Sequence, residues 1–131
     1  MSGSTDLKET LKSLKVTCDN VEYGFTSLED TSKVSRDELL ATFQEDGRLA
    51  IIAPVAYLQS QGVDYEGPFA RLTIDLHTSL ELVGLTAVIA TKLAEHGVSA
   101  NVVAAFYHDH VFVQHDLREK AIDLLISLRD S

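Results

Sequence analysis

The chain is poor in cysteine and in long apolar runs, and each shortage excludes a class of protein. Cys18 is the single cysteine among 131 residues, so no disulfide can form within the chain. The neighbouring Asp19 disfavours a thiolate, and we expect an ordinary structural thiol. The N-terminal residues lack the apolar core of a signal peptide, and no segment reaches the roughly 18 apolar residues of a membrane span. These absences predict a cytoplasmic protein with no membrane partner.

Positive charge is also scarce. Acidic residues outnumber basic ones by 20 to 11, which gives a net charge of −9. Residues 1–68 carry six basic and twelve acidic side chains (−6), and residues 69–131 carry five and eight (−3). Nucleic acids and anionic lipid surfaces attract basic patches, so the charge predicts no nucleic-acid partner. The hydrophobic content of 45% is instead typical of a soluble globular protein.

The first half contains short elements separated by turn signals. Leucines recur at i, i+4 and i+7 over residues 7–14, which predicts a short helix, and residues 21–28 have the composition of a strand. Asp46-Gly47 predicts a hairpin turn between two strands. Pro54 suits the first position of a helix over residues 55–61. Hence the first half combines both types of element.

Gly67-Pro68 is the strongest internal boundary signal in the chain. It predicts an N-terminal half over residues 1–68 and a C-terminal unit over residues 69–131. The two halves have related orders of elements, which suggests an internal repeat with little sequence identity.

The second half shows clearer periodicity. Residues 70–76 alternate apolar and polar side chains, which predicts a strand with one buried face. An amphipathic helix that ends at Gly97 is predicted by an apolar stripe at Leu82, Leu85, Ile89 and Leu93. Residues 98–107 are apolar on both faces. We therefore predict a central strand, covered on both sides and reached from strand 70–76 by a right-handed parallel crossover.

Two further elements complete the second half. A tight turn at His108-Asp109-His110 is predicted to lead into a strand over residues 111–115. Asp116 and Glu119 match a capping box at the start of a final helix. The resulting order is β-α-β-β-α.

This order, with Val83-Gly84-Leu85 and the run from Gly97-Val98 to Val102, resembles the ACT domain family of small regulatory modules. The segment SLELVGLTAVIATKLAEHGVSANVVAAFYHDHVFV also resembles stand-alone proteins with two ACT-like units and the ACT modules of cytosolic arginine sensors. The resemblance covers residues 69–128 and is weaker over the first half. It implies an α+β, ferredoxin-like sandwich of two units, with helices on one face of a mainly antiparallel sheet. It also implies a fourth strand for the C-terminal unit, which is either absent or supplied by another segment, for which residues 21–28 are the candidate.

The resemblance implies a ligand site at the glycine. The first N–H groups of a helix have no partner within the helix and favour an anion, and a glycine lets a carboxylate approach them. The implied binding residues are Leu82, Val83, Gly84, Leu85 and Thr86, with Asn101 on the following strand. Alternatively, Gly84 serves only close packing of the helix on the sheet. Thr78 and Glu81 also match a capping box, but we favour a helix start near residue 83.

The implied function is a non-catalytic sensor or regulatory protein that binds a small molecule, most simply an amino acid, without a cofactor and as a homo-oligomer. The alternative is a ligand-free dimerisation module in which residues 98–107 pack against an identical sheet. A remote third interpretation is metal binding through the 108–115 hairpin, with the candidate ligands His108, Asp109, His110 and His115. Asp75, His77 and Ser79 cannot converge as a catalytic triad because they are neighbours along one segment. We therefore expect no enzyme.

Overall fold

The computed structural model describes residues 6–76 and 84–130, which belong to two compact units. Asn20–Ala70 form the inserted unit, and Met1–Asp19 with Arg71–Ser131 form the flanking unit. The division of the chain at residue 68 stays a prediction, and the units are described by their own bounds.

Within the described ranges the helices are α1 (Leu7–Leu11), α2 (Val55–Ser60), α3 (Leu85–Ala94) and α4 (Arg118–Ile126). The strands are β1 (Lys15–Cys18), β2 (Tyr23–Leu28), β3 (Ala41–Glu45), β4 (Arg48–Pro54), β5 (Glu66–Asp75), β6 (Asn101–Ala104) and β7 (Asp109–Gln114). Short 3-10 turns lie at Thr31–Lys33, Arg36–Glu38, His115–Leu117 and Ser127–Asp130. None of the helices in this part of the chain is long and apolar enough to cross a membrane.

The inserted unit is an antiparallel sheet in the order β3-β4-β2-β5, to which β5 contributes residues 66–70. The hairpin prediction is confirmed, because Asp46 and Gly47 turn with φ of 44° and 78° between β3 and β4. Helix α2 covers an apolar cluster made by Leu28, Leu49, Ile51, Ala53 and Leu58. The segment between β2 and β3 forms two 3-10 turns, where Ser35 donates its N–H to the Tyr57 hydroxyl at 2.7 Å.

The strands of the flanking unit lie in the order β1-β5-β7-β6, to which β5 contributes residues 71–75. The predicted alternation on β5 is confirmed, because Leu72 and Ile74 are buried while Thr73 and Asp75 are more exposed. Helices α3 and α4 contact each other, and their apolar stripes are buried at Leu85, Ile89, Leu93, Ala121 and Leu125. The protein is thus an α+β, mainly antiparallel fold.

The prediction that residues 21–28 supply the fourth strand of this unit is wrong. Residues 21–28 contain β2, which pairs with the beginning of β5 in the inserted unit. The flanking unit instead takes its fourth strand from β1, which runs antiparallel to β5 from Lys15 opposite Asp75 to Cys18 opposite Leu72. Burial explains the choice, because the preceding Leu14 is 1% exposed and α4 contacts β1.

The prediction of a central, doubly covered strand over residues 98–107 is also wrong. Only Asn101–Ala104 form a strand, β6, which lies at the end of the sheet order and is largely exposed. The buried neighbour of β5 is β7, where Val111, Phe112 and Val113 are at most 1% exposed. A run of apolar residues on both faces does not distinguish an interior strand from an end strand. In the folded sheet the interior strand is β7, between β5 and β6.

Two local predictions in this region need correction. The turn lies at Ala105–His108, where the Ala105 N–H donates to the His108 carbonyl at 3.0 Å, so that Asp109 and His110 begin β7. No side-chain capping bond precedes α4, so the capping box at Asp116 is wrong. A 3-10 turn over His115–Leu117 leads into this helix instead.

Candidate ligand site at the start of helix α3

Gly84 caps the N-terminus of α3 in a left-handed conformation, with φ 94° and ψ −6°. L residues with a side chain rarely adopt this conformation, which explains the glycine. The Gly84 carbonyl accepts the N–H of Val88 at 2.9 Å. The N–H groups of Leu85, Thr86 and Ala87 come before that bond and have no acceptor within the helix. The positive end of the helix dipole is therefore directed at this point.

Among the residues that the structure describes, no side-chain capping bond is made to these amides. The cap makes no side-chain hydrogen bond, and the first turn contains no acidic residue. A Cβ placed on Gly84 would lie 3.4 Å from Cδ2 of Leu7, the nearest atom within the described ranges and at ordinary contact distance. Leu85 is buried and Thr86 is exposed. The helix start thus combines backbone donors with an apolar contact from α1.

The structure describes four of the six predicted binding residues. Gly84, Leu85 and Thr86 lie together, with Gly84 as the cap rather than inside the first turn. Leu82 and Val83 lie outside the described residues, as do Thr78 and Glu81. Asn101 lies on β6, where its side-chain amide donates to the Phe112 carbonyl at 3.3 Å. No contact described for Asn101 joins it to residues 84–86.

A groove of about 310 Å³ follows the exposed side of α3. Leu128 lies in it, and the remaining lining residues are Ala87, Val88, Thr91, Lys92 and Glu95. None of the four predicted binding residues that the structure describes, Gly84, Leu85, Thr86 and Asn101, lines this groove. Sequence reasoning missed this groove because the small and polar residues of α3 that line it are also typical of the solvent face of an amphipathic helix.

Polar pairs cross the strands of the flanking unit. Arg71 contacts the Asp19 carboxylate at 2.8 Å, and the Thr73 hydroxyl lies 3.1 Å from Nδ1 of His110. His108 lies 3.7 Å from the Asp75 carboxylate, a contact that becomes an ion pair when the histidine is protonated. Sequence alternation indicated that β5 has a polar face but could not name these partners.

The ionisation of this cluster follows from its burial. Desolvation, Arg71 and His108 lower the pKa of His110 below 6.5, in that order of importance. Desolvation raises the pKa of Asp109 above 3.8. Burial and the charge of Asp19 raise the pKa of the Cys18 thiol above 9.0, which disfavours the thiolate at neutral pH.

The 108–115 hairpin does not form a compact ligand set. The rings of His108 and His110 are 6.4 Å apart between centroids, and His115 lies beside Arg118, with 3.3 Å between Nδ1 and Nη1. No group of three or more His, Cys, Asp or Glu side chains suited to a metal ion occurs among residues 6–76 and 84–130.

Comparison with known proteins assigns the family. Two family models for the ACT domain match the chain, one over residues 2–70 and the other over residues 65–127. Together they cover both halves of the sequence. No curated protein matches the chain.

Solved structures share the fold. A Vibrio cholerae protein of unknown function, described as a "Possible Transport Protein", is 36% identical, with a TM-score of 0.84 over 98% of this chain and 99% of that one. An Agrobacterium tumefaciens protein is 21% identical, with a TM-score of 0.72 over 88% and 89%. The ligand-free regulatory subunit of aspartate kinase from Thermus thermophilus is 12% identical, with a TM-score of 0.60 over 84% and 93%. The last two likenesses show the fold alone.

The matches agree with the α+β, mainly antiparallel fold. ACT domains are regulatory, non-catalytic domains that bind small molecules. The chain belongs to the ACT domain family.

Proposed function

We propose that this protein is a cytoplasmic, non-catalytic sensor that binds an amino acid at the N-terminus of α3 and acts as a homo-oligomer. The observation that carries the proposal is the cap of α3. Gly84 holds a left-handed conformation and, within residues 6–76 and 84–130, the cap makes no side-chain hydrogen bond of the kind that Ser, Thr, Asp or Asn provide at helix starts. A ligand carboxylate can provide the same acceptor.

The chemistry of the helix start favours a carboxylate. Backbone N–H groups at a helix N-terminus bind anions because their dipoles add to the helix macrodipole. The first turn of α3 carries no acidic side chain that would compete with the ligand. An amino acid provides the carboxylate together with an ammonium group and a side chain, and Leu7 offers an apolar contact beside Gly84.

One structural neighbour supports a regulatory role. It is the regulatory subunit of aspartate kinase from Thermus thermophilus, in its ligand-free form. A ligand held by α3 regulates only if it binds one arrangement of the protein more tightly than another. We therefore expect binding to shift a conformational or assembly equilibrium.

A thermal-shift screen against the twenty amino acids, followed by calorimetric titration of any that stabilise the protein, tests the proposal. Gly84→Ala is the test variant and Gly97→Ala is its matched control at the other end of α3. Both glycines have positive φ, 94° and 76°, so alanine strains the backbone at each by about 1–2 kcal/mol. Nothing within the described residues lies within 4 Å of a Cβ at Gly97.

The expected result is saturable stabilisation by one or a few amino acids, lost in Gly84→Ala and retained in Gly97→Ala. The proposal is wrong if none of the twenty stabilises the wild-type protein at millimolar concentration. It also fails if both variants bind as the wild type does.

A second candidate function is a ligand-free interaction module. The exposure of Phe106 and Tyr107, at 75% and 82%, favours it, because large aromatic side chains are seldom left in water without a contact to make. The same screen separates the two functions. An interaction module shows no stabilisation by any amino acid, whereas its melting temperature rises with protein concentration.

A further inference from the structure

The helix and the turns of the inserted unit cover the same face of its sheet. Helix α2 packs there on the apolar cluster that contains Leu49 and Ile51 of β4, and the partly buried Val34 and Leu39 from the segment between β2 and β3 pack against it too. Side chains alternate between the two faces along a strand, so the intervening residues point to the opposite face. Within residues 20–70, all of which the structure describes, α2 is the only α-helix. The unit therefore supplies no helix to that opposite face.

The opposite surface, which we name the open face, is apolar. Its apolar residues lie side by side on neighbouring strands, and they are Phe25, Ala41, Phe43, Ala50, Ile52 and Phe69. Phe43 is 72% exposed, and the other five are partly buried. Antiparallel sheets normally direct polar side chains to a face that meets water, and an apolar face is buried against another element. The composition of the open face therefore favours a surface that binds a partner.

Strand β5 shows that the fold itself does not require an apolar open face. In the flanking unit, Arg71 and Thr73 alternate along β5 with buried apolar residues. They contact Asp19 and His110 on neighbouring segments, at 2.8 Å and 3.1 Å. Polar side chains thus suffice on the equivalent face of this unit, and the apolar residues of the inserted unit need another explanation.

Negative charge borders the open face. Residues 20–70 contain three basic and nine acidic side chains, which gives a net charge of −6. Glu45 ends β3 and Glu66 begins β5, and both are exposed. Arg48 pairs opposite Glu45, but its charge is offset by Glu29, at 3.4 Å. A complementary partner therefore has positive charge around an apolar centre.

We infer that the open face binds a basic amphipathic helix of another protein, with the apolar stripe of that helix on Phe43 and Ile52 and its basic side chains beside Glu45 and Glu66. Four strands about 4.8 Å apart span about 14 Å, which is close to the diameter of about 10–12 Å of one helix with its side chains. An apolar stripe with flanking positive charge matches both properties of the face. The inference does not depend on amino-acid binding at α3.

A model peptide tests the inference with two matched variants. The probe is a fluorescein-labelled helix of about 18 residues, with leucines at i, i+3, i+4 and i+7 on one side and lysines elsewhere. The same peptide with glutamate in place of lysine is the charge control. Phe43→Ser removes an exposed aromatic side chain from the open face, and Phe106→Ser removes a similarly exposed one, at 75%, from the flanking unit. Circular dichroism checks that each variant is folded.

Fluorescence anisotropy should show saturable binding of the lysine peptide to the wild type and to Phe106→Ser, with a Kd at least about tenfold higher for Phe43→Ser. Binding should weaken as the salt concentration rises, and the glutamate peptide should not bind. The inference is overturned if the lysine peptide does not bind the wild type, or if Phe43→Ser binds it as tightly as Phe106→Ser does. It is also overturned if sedimentation shows that the wild type self-associates through Phe43, since a second copy then occupies the open face.

Discussion

At the scale of single residues, His110 shows how a strand position sets the ionisation of a side chain. It lies on β7, where its ring contacts the Thr73 hydroxyl at 3.1 Å. Burial, Arg71 and His108 disfavour its protonated form, while Asp109 and Asp19 favour it less strongly. The net result is a pKa below that of an unfolded chain.

This shift predicts a dependence of stability on pH. The folded state binds the His110 proton less readily than the unfolded chain does, so protonation of this residue favours unfolding. The contribution of His110 to the free energy of unfolding is therefore fully present above pH 6.5. It is lost as the pH falls from there towards the lower folded pKa. His110→Gln keeps a polar partner for Thr73 and removes the titration. Urea unfolding should show a smaller loss of stability on acidification in His110→Gln than in the wild type.

The matched control is His96→Gln, since His96 is exposed at the end of α3. It should lose stability on acidification as the wild type does. Equal pH dependence in His110→Gln and the wild type would contradict the assignment.

Gly97 after the end of α3 was predictable for a physical reason, whereas the place of Asn101 was not. Positive φ at Gly97 satisfies a local requirement of helix C-termini, which sequence patterns report directly. Gly84 was expected inside the first turn and forms the cap instead. Whether Asn101 approaches the helix start depends on packing over a distance, and the structure ties its side chain to the Phe112 carbonyl instead. Local conformation was predictable and long-range convergence was not.

At the scale of elements, the N-terminal segment completes the flanking unit. Arg129 donates to the Leu14 carbonyl at 2.6 Å, and Arg71 binds Asp19 just after β1. Burial of Leu11 and Leu14 adds the apolar part of the attachment. Strand β1 is therefore held at both ends.

Leu14→Ala tests this attachment. Its side chain is 1% exposed, and removing buried methyl groups should lower the free energy of unfolding by about 2–5 kcal/mol. Lys12→Ala, on the same segment but with a 61% exposed side chain, should cost less than about 0.5 kcal/mol. Chemical denaturation measures both. If the two variants lose similar stability, the N-terminal segment does not contribute to the core.

Periodicity predicted the type of most elements but not their neighbours. The buried stripe of α3 at Leu85, Ile89 and Leu93 followed from spacing alone. The positions of β6 at the end of the sheet and of β7 in its interior did not follow from spacing. Apolar residues on both faces fit an interior strand and an exposed end strand equally well. Only the order of strands in the folded sheet distinguishes them.

At the scale of the whole molecule, the same arrangement occurs twice. The inserted unit has the order β5-β2-β4-β3, which is its fourth, first, third and second strand along the chain. The flanking unit has the same order, β1-β5-β7-β6, when β1 is counted as its fourth strand. Sequence reasoning detected related orders of elements. It could not see that the flanking unit takes its fourth strand from the beginning of the chain, since no local pattern records which distant strand β1 will join.

The units differ where ligand binding is proposed. In the flanking unit a ten-residue helix follows Gly84, a cap residue that makes no side-chain capping bond. The corresponding segment of the inserted unit forms three-residue turns, and the Asp30 carboxylate already accepts the N–H of Ser32 at 2.9 Å. This contrast favours the flanking unit as the place of the proposed amino-acid site.

The most direct test is an NMR titration of the ¹⁵N-labelled protein with each amino acid that stabilises it. Hydrogen bonding of a carboxylate to α3 predicts that the largest, saturable amide shifts occur at Leu85, Thr86 and Ala87. Shifts confined to the groove at Thr91, Glu95 and Leu128, or no saturable shift at all, would contradict binding at the start of this helix.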